Sequence, residues 1–94
     1  MKFVINRCYG GFGLSNEARK ALGMTENEWD SEIRRDDPEL IKVVEEMGED
    51  AEGSSADLEI VEIPDDATDW EVDEYDGLER IIYVEDGKLH YAYH

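Results

Sequence analysis

Aromatic and aliphatic residues recur in three short stretches near the C-terminal end of the chain, over residues 70–75, 78–85 and 88–93. An Asp-Gly dipeptide separates each stretch from the next, at 76–77 and at 86–87. Asp-Gly favours a two-residue type I′ turn, because both central residues of that turn have positive φ. The pattern therefore predicts a three-stranded antiparallel meander.

The geometry of these turns also predicts which side chains of the final hairpin share a face. A two-residue turn places Val84 opposite Leu89. Ile82 and Tyr91 follow one step further along, on the same side of the sheet. We expect this apolar face to pack under the helix that is predicted over residues 38–47.

The clearest helix signal lies in the middle of the chain. Asp37 precedes Pro38, an order typical of a helix with an aspartate N-cap and a proline in its first turn. Gly48 supplies an end signal. We predict a helix over residues 38–47, whose apolar residues fall on one broad face at helical spacing: Leu40, Ile41, Val43, Val44 and Met47.

Two shorter helical signals precede this helix. Ser15 can cap a helix over residues 16–22, and Gly23 can close it in a left-handed conformation. Residues 25–28 have the Thr-x-x-Glu form of a capping box, which predicts a further helical turn that buries Trp29.

The remaining apolar stretches predict two more strands. The first covers residues 2–7, and the second begins at Leu58 and ends before Pro64, with Glu59 and Glu62 among its outward side chains. We therefore expect a single α+β domain: a mostly antiparallel sheet of four to five strands that includes the C-terminal meander, with two or three helices from the N-terminal half packed on one face.

Negative charge is concentrated in one part of the chain. The 94 residues carry a formal net charge of −17, yet residues 1–44 hold eight acidic and seven basic side chains. Residues 45–86 hold eighteen acidic side chains and one basic side chain. Such a field repels nucleic acids and anionic membrane surfaces, and it attracts basic proteins.

Cys8 is the one cysteine of the sequence, so no disulfide can form within the chain. This composition fits a reducing cytoplasm better than a secreted context. The apolar stretch at the start is too short for a signal peptide, and no apolar run approaches the roughly 20 residues that span a bilayer. We expect a cytoplasmic protein that does not enter a membrane.

Motifs for catalysis, cofactors and metals do not fit the sequence. The segment from Gly11 to Asn16 lies between a strand and a helix, but Asn16 stands where a dinucleotide-binding motif needs its third glycine. Nothing in the sequence brings Cys8 to His90 or His94. The acidic loop after residue 64 lacks the spacing of a calcium-binding EF-hand. We expect no catalytic residues, no cofactor and no metal site.

Nine acidic residues lie on two predicted strands and on the loop between them. Alternate residues of a strand are about 6.7 Å apart, and neighbouring strands about 4.8 Å. A sheet face with these carboxylates would approach the charge density of DNA, which has one phosphate per ~3.4 Å of each strand. We expect this set to contact a partner by acidic mimicry: Glu59, Glu62, Asp65, Asp66, Asp69, Glu71, Asp73, Glu74 and Asp76.

Two segments of the sequence resemble a family of small phage and prophage proteins. The first reads Val-Ile-Asn-Arg-Cys-Tyr-Gly-Gly-Phe-Gly-Leu-Ser over residues 4–15; the second includes Ile-Pro-Asp-Asp at 63–66, Trp70 and Tyr-Asp-Gly at 75–77. In those proteins an aromatic residue closely follows the Tyr-Asp-Gly, whereas here residues 78–80 intervene. The protein is also similar in kind to acidic anti-CRISPR proteins that stop Cascade complexes from binding DNA.

This resemblance implies a phage-encoded inhibitor that acts in the cytoplasm of a bacterial host. Its partner would be a basic host protein, such as a Cascade subunit of a CRISPR effector complex, and it would block DNA binding without binding nucleic acid itself. Two alternatives stay open. One is a non-catalytic accessory phage protein whose acidity only confers solubility, and the other is a small enzyme that uses Cys8.

Overall fold

The computed structural model describes residues 1–25 and 28–92, and both of its α-helices lie between the first and second strands along the chain. Short 3-10 turns at Asp30–Glu32 and Gly48–Ala51 flank the second helix. The predicted capping box at 25–28 includes residues outside the described part of the chain. The strands and helices are β1 (Lys2–Asn6), α1 (Asn16–Ala21), α2 (Pro38–Met47), β2 (Leu58–Glu62), β3 (Asp69–Tyr75), β4 (Leu78–Glu85) and β5 (Lys88–Ala92).

The strands form two antiparallel sheets. β1 pairs with β2, and β3, β4 and β5 form the predicted meander in that order. Asp76 and Asp86 have φ values of 51° and 54°, and the glycine after each also has positive φ, as type I′ turns require. The expected α+β class is confirmed, with five strands divided between two sheets.

The β1–β2 sheet is buried on both faces because its apolar side chains point alternately to two neighbours. On one face, Val4 and Leu58 pack against the buried side of α2. On the other face, Phe3 and Val61 pack against Ile81 of β4, and the Phe3 ring meets Trp70 edge-on at 4.7 Å. The fold thus has three layers: helices, the two-stranded sheet and the three-stranded sheet.

Both helices have the caps that the sequence indicates. The Asp37 carboxylate accepts hydrogen bonds from the backbone N–H groups of Glu39 and Leu40, at 2.8 and 3.2 Å. Gly48 ends α2 with a φ of 59°. Ser15 caps α1 in the same way, by accepting from the N–H of Ala18. These local predictions are confirmed.

The predicted contact between α2 and the meander is wrong. α2 packs on β1 and β2, while Leu89 and Tyr91 are 63% and 51% exposed. The reason is that the two-stranded sheet lies between the helix and the meander. It covers the opposite face of the meander, the one that carries Ile81.

The predicted burial of Trp29 is also wrong, since its side chain is 71% exposed. The neighbouring Asp30 takes the inward position instead. Its carboxylate accepts a hydrogen bond from the backbone N–H of Leu14 at 2.9 Å and forms an ion pair with Arg19. A charged group with two fixed partners therefore holds this turn, and Trp29 points away from it.

A glycine-rich loop, residues 8–13, follows β1 and lies against the turn between β3 and β4. A Cβ atom on Gly10 would stand 1.9 Å from the carbonyl oxygen of Ser55. A Cβ atom on Gly77 would stand 2.6 Å from the backbone nitrogen of Gly11. The glycines thus permit close contacts between backbones.

The Glu79 carboxylate is the main polar connection between the layers, and it is 4% exposed. Its Oε1 accepts from the backbone N–H of Asn6 at 3.0 Å and from Nε of Arg35 at 3.1 Å. Its Oε2 accepts from Nη2 of Arg35 at 2.7 Å. The Arg35 guanidinium also lies 3.8 Å from the ring centroid of Phe12. One carboxylate therefore joins β4, β1 and the segment before α2.

Asn6 completes this network and is fully buried. Its Nδ2 donates to the carbonyl oxygens of Cys8 and Gly77, at 2.8 and 2.7 Å. Its Oδ1 accepts from the backbone N–H of Asp57 at 2.8 Å. A buried amide with both ends hydrogen-bonded fixes the relative positions of β1, the β3–β4 turn and the start of β2.

Replacing Arg35 tests this network. Arg35→Met leaves the Glu79 charge buried without its cation, and we expect the free energy of unfolding to fall by about 3–5 kcal/mol. Urea unfolding followed by tryptophan fluorescence measures this. Arg34→Met is the matched control, because Arg34 is 74% exposed in its ion pair with Asp36 and should cost at most about 1 kcal/mol. Equal losses in the two variants would contradict the assignment.

The double variant Arg35→Met/Glu79→Gln separates charge from packing. The Glu79→Gln change would still offer an amide oxygen to the N–H of Asn6 while removing the uncompensated charge. We expect the double variant to be less destabilised than the sum of the two single variants, as measured in a double-mutant cycle. Additive losses would show that the two side chains act independently.

Gly77 and Gly87 provide a matched test of the loop contact. Both occupy the second position of an Asp-Gly turn at positive φ, but a Cβ on Gly87 meets no atom within 4 Å. Alanine at Gly87 should cost about 1–2 kcal/mol from backbone strain. Alanine at Gly77 should cost about 1–3 kcal/mol more, because it also displaces the loop. Equal thermal or urea stability of the two variants would refute this contact.

Candidate functional site

The edge strand β3 carries a row of carboxylates on the side of the three-stranded sheet that faces away from β1–β2. Asp69, Glu71 and Asp73 alternate along β3, so their side chains share this side. Their partners on β4 are Val84, Ile82 and Arg80, respectively. We call this side of the sheet the outer face. It brings together three of the nine acidic residues selected from the sequence.

Charge on the outer face is balanced at one end and open at the other. Arg80 Nε donates to the Asp73 carboxylate at 2.8 Å, and its guanidinium carbon lies 4.3 Å from the ring centroid of Tyr91. Asp69 and Glu71 are exposed. The negative end of the outer face is therefore the end nearer the start of β3.

Four further predicted residues lie close to β3 in sequence but not on the outer face. Glu74 points to the opposite side of the strand, and Asp76 is the first turn residue after it. Asp65 and Asp66 lie in the loop before β3, and all four are exposed. Asp65 accepts a hydrogen bond from the N-terminal ammonium at 2.5 Å. They extend the negative field around both ends of β3.

The two predicted residues on β2 do not join this surface. Glu62 is exposed opposite Lys2, whose ammonium donates to Glu45 at 2.9 Å. Glu59 lies opposite Ile5, and its Oε2 is buried without a hydrogen-bond partner among the described residues. The expectation of one continuous acidic sheet face is wrong, because β2 and β3 belong to different sheets.

An apolar strip runs beside the acidic row on the outer face. It consists of Ile82 and Val84 on β4 and of Leu89 and Tyr91 on β5, in the register predicted from the turn. A shallow depression of about 210 Å³ opens between this strip and the first half of β3. The sequence predicts these four residues in the core. The signal for exposure is that Val84 and Ile82 lie opposite Asp69 and Glu71 of β3.

Cys8 and His90, two of the groups considered for catalysis, have different partners in the structure. The Cys8 thiol lies 3.0 Å from the carbonyl oxygen of Ser55 and 3.4 Å from Oδ1 of Asn6. The His90 ring stacks on Tyr83 at 5.2 Å. His94 lies outside the described residues. Within residues 1–25 and 28–92, no three His, Cys, Asp or Glu side chains converge to hold a metal ion.

The helices of the described segments are also too short and polar to cross a lipid bilayer.

The contact of Asp65 with the N-terminal ammonium predicts a lowered pKa for the Asp65 carboxyl, which can be measured. The ammonium donates a hydrogen bond to the carboxylate and attracts its charge, and both effects lower the Asp65 pKa from its ordinary value. A lowered folded-state pKa means that the pair stabilises the fold above the unfolded-state pKa, about 3.9, and that this contribution is lost as pH falls through the folded-state pKa. NMR titration of Asp65 measures the shift, and acetylation of the N-terminal amino group should abolish it. The same Asp65 pKa before and after acetylation would contradict the contact.

Comparisons with protein-family models, with curated proteins and with solved structures found no match for this chain.

Proposed function

We propose that this protein is a non-catalytic inhibitor that occupies a basic, nucleic-acid-binding surface of another protein and keeps DNA from it. The observation that carries the proposal is the row formed by Asp69, Glu71 and Asp73 on an edge strand, in a chain of net charge −17. The resemblance to small phage proteins suggests a host defence complex as the target, with a Cascade subunit of a CRISPR effector as the first candidate.

The spacing of charge along β3 supports mimicry. Alternate carboxylates about 6.7 Å apart stand at twice the ~3.4 Å phosphate spacing of one DNA strand. Glu74 and the loop residues Asp65 and Asp66 add exposed charge around the same strand. Lysine and arginine side chains that normally neutralise phosphates would meet carboxylates at about half the linear charge density of one DNA strand, and association would be fast and salt-dependent.

A second function is favoured by the neutralisation of part of this charge. Asp73 pairs with Arg80, and Asp65 pairs with the N-terminal ammonium. Carboxylates on an edge strand also prevent pairing with the edges of other sheets. The alternative is therefore an accessory phage protein whose acidic residues keep it soluble and monomeric.

Competition with DNA tests the proposal directly. A labelled DNA duplex is bound to a purified type I Cascade complex, and fluorescence anisotropy records its displacement by the protein. We expect displacement that weakens as salt rises. Asp69→Asn/Glu71→Gln removes both open charges of the row and should reduce potency by roughly tenfold or more. A tenfold loss corresponds to about 1.4 kcal/mol of binding free energy.

The matched control is Glu46→Gln/Glu49→Gln, which removes the same charge from exposed positions at the end of α2 and just after it. It should retain nearly full potency. Equal loss in both double variants would mean that net charge alone matters. Failure to displace DNA from several Cascade types, together with no rescue of phage growth on CRISPR-equipped hosts, would favour the accessory function.

A further inference from the structure

The outer face combines charge and apolar surface in a regular grid. Asp69, Val84 and Leu89 form one row across the three strands. Glu71, Ile82 and Tyr91 form the next row. The acidic side chains thus occupy the β3 column, and the apolar side chains occupy the β4 and β5 columns.

This apolar surface is exposed in the described structure. Leu89 is 63% exposed and Tyr91 is 51% exposed, while Ile82 and Val84 are half-buried. Solubility and charge mimicry need carboxylates but no apolar strip. Apolar groups grouped on one open face are typical of a binding surface.

The dimensions of the face limit what can cover it. The two rows and the adjoining Asp73–Arg80 pair on β3 and β4 span about 10 Å by about 13 Å. An α-helix with its side chains is roughly 10–12 Å across, so one helix laid along the strands covers the face. A stable dimer needs about 800 Å² from each partner, far more than this grid supplies. A second copy would also bring its own net charge of −17 against Asp69 and Glu71.

We propose that the outer face binds a cationic amphipathic helix of the partner protein. The aliphatic side of that helix covers the strip formed by Ile82, Val84, Leu89 and Tyr91, and its lysines or arginines lie over Asp69 and Glu71. This inference rests on the proposed function and narrows it. The target surface contains a helix with both basic and apolar side chains, and contact with that helix makes binding more specific than charge attraction alone.

Two synthetic peptides of identical composition test this proposal. One is a 14-residue Leu/Lys peptide with leucines at helical spacing, and the other is a scrambled version in which leucine and lysine share no face. Binding is measured by isothermal titration calorimetry. The amphipathic peptide should bind roughly tenfold or more tightly, since burying one leucine is worth at least that factor. Equal affinity for the two peptides would overturn the proposal.

Substitutions separate the apolar contribution from the electrostatic one. Leu89→Gln should weaken binding of the amphipathic peptide several-fold and leave the scrambled peptide unaffected. Trp29→Gln is the matched control, because Trp29 is similarly exposed but lies outside the sheet. It should change neither affinity. Loss of amphipathic-peptide binding in Trp29→Gln, with Leu89→Gln unchanged, would overturn the proposed docking face.

Charge variants and sedimentation distinguish the remaining outcomes. Asp69→Asn/Glu71→Gln should weaken binding of both peptides. If it weakens both peptides while Leu89→Gln weakens neither, the helix proposal fails and the charge-based function stands. If it weakens neither, the proposed function itself fails. A dimer in analytical ultracentrifugation that Leu89→Gln dissociates would identify a second copy as the occupant and overturn the proposal.

Discussion

The ion pair between Glu79 and Arg35 joins parts of the chain that are far apart in sequence. The two residues are 44 positions apart, and the Asn6 N–H that shares the Glu79 carboxylate is 73 positions from it. Because the pair is buried, each charge needs the other, and the three segments have to assemble together. The free edge of β1 is closed in the same region, where the carbonyl oxygen of Arg35 accepts from the N–H of Val4 at 2.8 Å. The two sheets thus keep a defined relation, which leaves the outer face of the meander open.

Local chemistry made part of the fold predictable. The Asp37-Pro38 start of α2 and both Asp-Gly turns depend only on adjacent residues, and each is found where the sequence indicates. Register followed from turn geometry in the same way, so the pairing of Val84 with Leu89 was also predictable.

The arrangement of the layers could not be read from local patterns. An apolar strand face has the same sequence pattern whether it packs on a helix, packs on another sheet or faces solvent. The sequence therefore predicts that the face with Leu89 is buried. The inward turn of Asp30 depends on Arg19 and on the backbone of Leu14, and this left Trp29 exposed. The nine acidic residues could be selected from their positions in the sequence. Their separation onto two surfaces could not be predicted, because it depends on β2 and β3 joining different sheets.

The proposed binding surface is confined to the outer face of the three-stranded sheet, although acidic residues are exposed elsewhere as well. Exposed carboxylates also occur away from this face, for example at Glu46, Glu49 and Asp50 near the end of α2, so a purely electrostatic partner would have other regions to bind. The most direct test is an NMR titration of the ¹⁵N-labelled protein with the amphipathic Leu/Lys peptide. We expect chemical-shift changes concentrated in β3, β4 and β5. Changes concentrated at residues 45–50, or spread evenly over all acidic segments, would contradict the assignment of the outer face.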